Sequence, residues 1–73
     1  MAKRQAVAEV AGSVWKITSA VGQKLASGEV VMVIESMKME IPVIAEEGGT
    51  VLEIRVVEGA AIAEGEVVAI LEL

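Results

Sequence analysis

Apolar residues fall along this chain in short runs and alternations, and no window keeps the three-and-four spacing of a helix. Residues 30–34 and 67–71 are unbroken apolar blocks, rich in β-branched side chains and bounded by glycine and glutamate, the pattern of a fully buried strand. Leu52, Ile54 and Val56 alternate with Glu53 and Arg55, the period of a strand with one buried face. Val51 interrupts that alternation, as Val14 does earlier in the chain. An inserted residue near the start of each strand, a β-bulge, restores the register. Gly22, Gly28, Gly59 and Gly65 are assigned to turns that need positive φ, because the chain has no Asn or Asp to fill those positions. Pro42 interrupts a segment that otherwise reads as strand, which predicts a sheet edge there.

Shifted by 37 positions, the chain matches itself. Residues 12–35, GSVWKITSAVGQKLASGEVVMVIE, align without a gap on residues 49–72, GTVLEIRVVEGAAIAEGEVVAILE, with ten of 24 positions identical. Three glycine pairs and the run GEVV fall in register, which separates a true repeat from chance likeness between apolar segments. Each copy reads as strand, glycine turn, short strand, glycine turn, strand. A unit this small cannot bury a face alone. The two copies are therefore expected to pack about a pseudo-two-fold axis as an all-β flattened barrel or sandwich, two small antiparallel sheets of roughly seven or eight short strands. At 73 residues this is one domain, spanning 1–73. Symmetry puts the two termini together, at the end opposite the linker between the copies.

That linker opens with Glu35-Ser36-Met37-Lys38-Met39-Glu40. Strands over 30–35 and 40–45 leave a hairpin over residues 35–45, with Met37-Lys38 at its tip. Two-residue hairpin loops prefer turns with positive φ at both central residues, normally Asn-Gly or Asp-Gly. Other residues there cost on the order of 1–3 kcal/mol. A chain that uses glycine freely in its other turns places two long side chains here instead. Lys38 is thereby the candidate functional residue: an amine on a protruding tip, within reach of another protein's active site and able to form an amide once deprotonated. Met37 and Met39 add flexible apolar surface, and Glu35 and Glu40 add charge. An ordinary solvated lysine is the competing reading.

Composition removes most other functions. Cysteine, histidine, aspartate and tyrosine are absent, so disulfides, the common zinc ligand sets and the usual catalytic triads cannot be built. No metal site and no enzymatic activity are expected, since so small a domain has little room for a water-excluding cleft. The net charge is −5, the basic residues are scattered and Trp15 is the single aromatic. That balance opposes nucleic-acid binding. No apolar run approaches the ~20 residues of a spanning helix, and MAKRQAVAEV holds no apolar signal region. A cytoplasmic, monomeric protein is expected, without membrane partners.

With the repeat and the lysine hairpin in view, the chain resembles the biotinyl/lipoyl attachment domains, above all the single-domain attachment proteins and biotin carboxyl carrier domains. ESMKME is similar to the biotin-carrier motif, in which Met-Lys-Met follows a small residue, and the Gly-x-Val and glycine-turn pattern fits across nearly the whole chain. The resemblance implies two sheets related by a quasi-dyad and a carrier in place of an enzyme. Lys38 would take biotin as an amide from biotinyl-adenylate held by a biotin protein ligase. The arm would then serve a biotin carboxylase and a carboxyltransferase. Met37, Met39 and Glu35 would serve ligase recognition. Four features depart from the family pattern. Ser36 replaces the commoner Ala, no proline precedes Gly12, Gln23 and Ala60 replace a turn aspartate, and no inserted segment covers the cofactor. Lipoate, carried by the same fold in an Asp-Lys-Ala context, stays open as the second cofactor, as does dual use. A β-domain used only for protein contacts is the remaining alternative.

Overall fold

The computed structural model describes residues 2–73 and contains eight strands. They are β1 (Lys3–Val7), β2 (Gly12–Ile17), β3 (Lys24–Leu25), β4 (Glu29–Ser36), β5 (Met39–Ala45), β6 (Gly49–Ile54), β7 (Ala61–Ile62) and β8 (Val67–Glu72). Two four-stranded antiparallel sheets result, in the orders β1-β8-β6-β3 and β5-β4-β2-β7. Their inner faces meet in one core of small apolar side chains, with Met32, Ile34, Leu71, Val31 and Val68 shut off from water. The two sheets form an open sandwich 36 Å long and 17 Å across. Pro42 lies on β5, which is an edge strand, so the missing amide breaks no central ladder.

The 37-residue shift carries β2 onto β6, β3 onto β7, β4 onto β8 and β1 onto β5, and in doing so exchanges the two sheets strand for strand. The copies interlock instead of stacking. The short strand β3 of the first copy joins the second copy's sheet, and β7 joins the first copy's.

Bulges make this exchange possible. The β2–β4 register skips Trp15 and the β6–β8 register skips Leu52. The backbone groups of the residue just before each bulge turn to the other copy. Val14 N–H donates to the Ala60 carbonyl at 2.9 Å, and Gly59 N–H donates to the Val14 carbonyl at 2.7 Å. Symmetrically, Val51 N–H donates to the Gln23 carbonyl at 2.9 Å and Gly22 N–H to the Val51 carbonyl at 2.7 Å. Each bulge thus satisfies the polar groups that its own ladder leaves free. It also corrects the simple alternation, which predicts Leu52 on the buried face. The extra residue sits at Leu52 itself, so Leu52 faces solvent, Val51 enters the core, and β6 ends before Arg55 and Val56.

The four turn glycines have φ of 91, 86, 88 and 86° at Gly22, Gly28, Gly59 and Gly65, with open space where a Cβ would go. Backbone conformation, not crowding, requires glycine there. The glutamates of the two GEVV runs close their own turns. Ala26 N–H donates to Glu29 Oε1 at 2.7 Å and Ala63 N–H to Glu66 Oε1 at 2.9 Å, while each glutamate's N–H returns to the same alanine's carbonyl. At the termini Leu73 N–H donates to the Ala2 carbonyl at 2.9 Å.

Candidate functional site

Glu35 pairs with Glu40 and Ser36 with Met39, which leaves Met37 and Lys38 as a two-residue connection between β4 and β5. Their φ angles are 51° and 65°, and they are the only non-glycine residues with positive φ among those described. Both central residues in the left-handed region define the primed turn that matches strand twist. Neither side chain suits it, so the turn holds strain on the order of 1–3 kcal/mol per residue.

The rest of the sheet sustains that strain. β4 is a central strand of eight residues, and its inward side chains Met32 and Ile34 are fully buried. β2 closes against the base of the hairpin, where Ser13 pairs with Glu35. A Cβ on Gly12 would run into the Glu35 carbonyl oxygen, so only glycine allows β2 to lie that close. In the sequence, Gly12 is marked by its repeat partner Gly49 and by the Gly-x-Val pattern, neither of which specifies a close contact. The repeat itself was nonetheless the signal, because a Cβ on Gly49 would likewise stand 2.7 Å from the Glu72 carbonyl oxygen.

At the tip, Lys38 is exposed, Met37 is 92% exposed and Met39 63%. Lys38 takes no part in the ion pairs among the described residues, Arg4 with Glu47 and Arg55 with Glu53. Glu35 and Glu40 stand opposite one another just below it, both exposed. Like charges so placed repel slightly, and they put two carboxylates on one face of the hairpin one rung below the Ser36–Met39 pair. The structure thus brings Glu35, Met37, Lys38 and Met39 into one protruding unit, with Glu40 beside them.

Nothing encloses that unit. The large cleft of the molecule, ≈ 740 Å³, runs along the open edge between β1 and β5 and is lined by residues such as Ala6, Ile34, Ile41 and Val43, without Lys38. Among the described residues no group of three or more His, Cys, Asp or Glu side chains gathers to hold a metal ion, and no helix is long and apolar enough to cross a membrane. What the tip can offer chemically is an exposed primary amine at the end of a two-stranded stalk.

A small two-sheet domain with internal pseudo-symmetry that holds one lysine out on a strained hairpin is the architecture of an attachment domain. The chain belongs to the biotin/lipoyl family: the family described as "Biotin-requiring enzyme" matches residues 4–71. A biotin/lipoyl attachment protein of Bacillus subtilis (strain 168) is 42% identical over 36 residues, which is 49% of either chain. The urea carboxylase of Kluyveromyces lactis superposes with a TM-score of 0.93 at 32% identity, over 99% of this chain and 6% of that one. A single-chain, multi-domain long-chain acyl-CoA carboxylase superposes with a TM-score of 0.87 at 22% identity, over 93% of this chain and 7% of that one, a likeness of fold alone. The chain therefore matches about half the length of the Bacillus protein and a small part of each carboxylase.

Proposed function

We propose that this domain is a biotin carrier acylated on Lys38. The observation that carries the reading is the turn itself: an exposed amine held at φ 65° beside Met37 at φ 51°, where glycine would be more stable. A residue kept against local stability, at the one point where the repeat is joined by a two-residue turn, is kept for its side chain. The tip fits such a group, since Lys38 and both flanking methionines are exposed and no described side chain pairs with the amine. Membership of the family and the likeness to carboxylases support the same reading.

In this mechanism the chain's own part is brief. The Lys38 amine, unprotonated in the ligase active site, attacks the acyl carbon of biotinyl-adenylate. The C–N bond forms, adenylate leaves, and the proton from nitrogen passes to a base of the ligase. Met37 and Met39 offer apolar contact to the ligase, and Glu35 adds a charged contact. Biotin, when attached, supplies the ring nitrogen that takes up a carboxyl group. Thereafter the chain presents the arm to a biotin carboxylase and a carboxyltransferase, with the acidic surface favouring basic partner sites. The activating and transferring chemistry belongs to those partners, and the domain itself does not catalyse it.

Lipoylation of the same lysine is the second reading, favoured by the family's breadth and by the name of the Bacillus relative. Met-Lys-Met in place of Asp-Lys-Ala weighs toward biotin. Co-expression with a biotin protein ligase, read by intact mass and avidin binding, tests the choice. The native chain is expected to gain one biotinyl group and Lys38→Arg none. Equal labelling of Lys38→Arg, or no labelling of the native chain, overturns the biotin reading, and a mass gain with lipoate ligase alone establishes the second.

A further inference from the structure

Three methionines lie among the described residues, and their surroundings differ as much as surroundings can. Met32 is 0% exposed, in the middle of β4 and paired on either side with Ile17 and Val43. Met37 is 92% exposed at the first position of the turn, and Met39 is 63% exposed at the start of β5. The two accessible thioethers are the immediate neighbours of Lys38 on both sides. Neither belongs to the hydrophobic core. A change at either sulfur thus alters the surface around the lysine and leaves the packing that supports the hairpin in place.

We propose that Met37 and Met39 form a peroxide-sensitive modification site that controls whether Lys38 can be acylated, an inference that rests on the carrier reading above. The chemistry needs only a hydroperoxide. A sulfur lone pair attacks the terminal peroxide oxygen, the S–O bond forms as the O–O bond breaks, and hydrogen peroxide leaves as water. Sulfur is oxidised by two electrons and the peroxide is reduced by two. Each apolar, flexible side chain becomes a polar sulfoxide, a change that disrupts methionine-rich contacts and that methionine sulfoxide reductases reverse, one enzyme for each sulfoxide epimer. An enzyme that grips the tip through these side chains meets two dipoles where it had apolar surface. The unloaded domain is then a poor substrate until it is reduced. Met32 is the internal control: it has the same chemistry, but burial denies the oxidant access.

The test treats the native 73-residue chain with graded hydrogen peroxide, maps oxygen addition at Met32, Met37 and Met39 by peptide mass, and follows biotinylation by a biotin protein ligase. Met37 and Met39 are expected to gain one oxygen each well before Met32 gains any. With both sulfoxides formed, kcat/KM for acylation is expected to fall roughly tenfold or more, equivalent to about 1.4 kcal/mol of lost contact. Thermal unfolding should stay unchanged, and joint treatment with both reductases should restore the rate. In the M37L/M39L variant the rate, whatever its starting value, should no longer respond to peroxide. Unchanged acylation of chain carrying both sulfoxides overturns the proposal and leaves the carrier reading standing. Oxidation of Met32 as fast as Met37, or a peroxide response that persists in M37L/M39L, overturns it too. No acylation of the untreated chain overturns the carrier reading and the switch with it.

Discussion

At one end of the molecule Ser36 pairs with Met39 and the chain turns back through Met37 and Lys38. At the end related to it by the 37-residue shift, Leu73 N–H donates to the Ala2 carbonyl across the same rung of the other sheet. The rungs below are alike at both ends: a glycine of the neighbouring strand, Gly12 or Gly49, lies against the last carbonyls, of Glu35 or Glu72. Duplication therefore supplies the stalk twice. Among the described residues, Met37 and Lys38 alone add strained non-glycine positions to this shared frame, so the stalk is generic and the chemistry is local.

The largest test of this comparison builds a turn at the second end as well. Joining Leu73 to Ala2 through Asn-Gly builds a second two-residue hairpin, and removing the chain entropy of a loop this size is expected to add up to ~4 kcal/mol. Urea denaturation measures it, and no gain would show that the terminal rung does not persist in solution. Next, Gly12→Ala and Gly49→Ala should each cost about 3 kcal/mol, the upper range for forcing an atom into occupied space. Only Gly12→Ala should also slow acylation of the folded protein, because it displaces the strand that leads to Lys38. Equal slowing by both would mean that the two ends are coupled. Replacing Met37→Asn together with Lys38→Gly should raise stability by about 2 kcal/mol and abolish the mass gain with ligase. If unfolding is unaltered by that change, the turn is not strained. The smallest effect is expected at Arg4, whose ion pair with Glu47 is half exposed. The corresponding residues under the shift are the apolar Ile41 and Val10. Arg4→Ala should cost no more than ~1 kcal/mol in a urea titration.

Much of the fold was readable in advance because strand period, glycine turns and the repeat are local signals. Val14 and Val51, each out of step with its neighbours, implied bulges; Pro42 implied an edge; Met37-Lys38 implied a turn at positive φ. Other features were hidden. Leu52 looked inward by alternation, and only the position of the bulge sends it out and brings Val51 in. The exchange of β3 and β7 between sheets left no mark either, since Lys24-Leu25 and Ala61-Ile62 carry no information about which strand they meet. The close approach of Gly12 to Glu35 was legible only as a recurring glycine.

By itself the sequence determined an all-β chain of two like halves, the places where it turns, and the presence of a lysine in a turn unsuited to it. Those follow from short-range rules of side-chain period and allowed backbone angles. Tertiary structure alone decided how the halves interlock, which glycines carry close contacts, and which side of the bulge at Leu52 enters the core. Hydrogen bonds between residues far apart in the chain settle those points, and their partners are chosen by three-dimensional packing rather than by neighbouring residues.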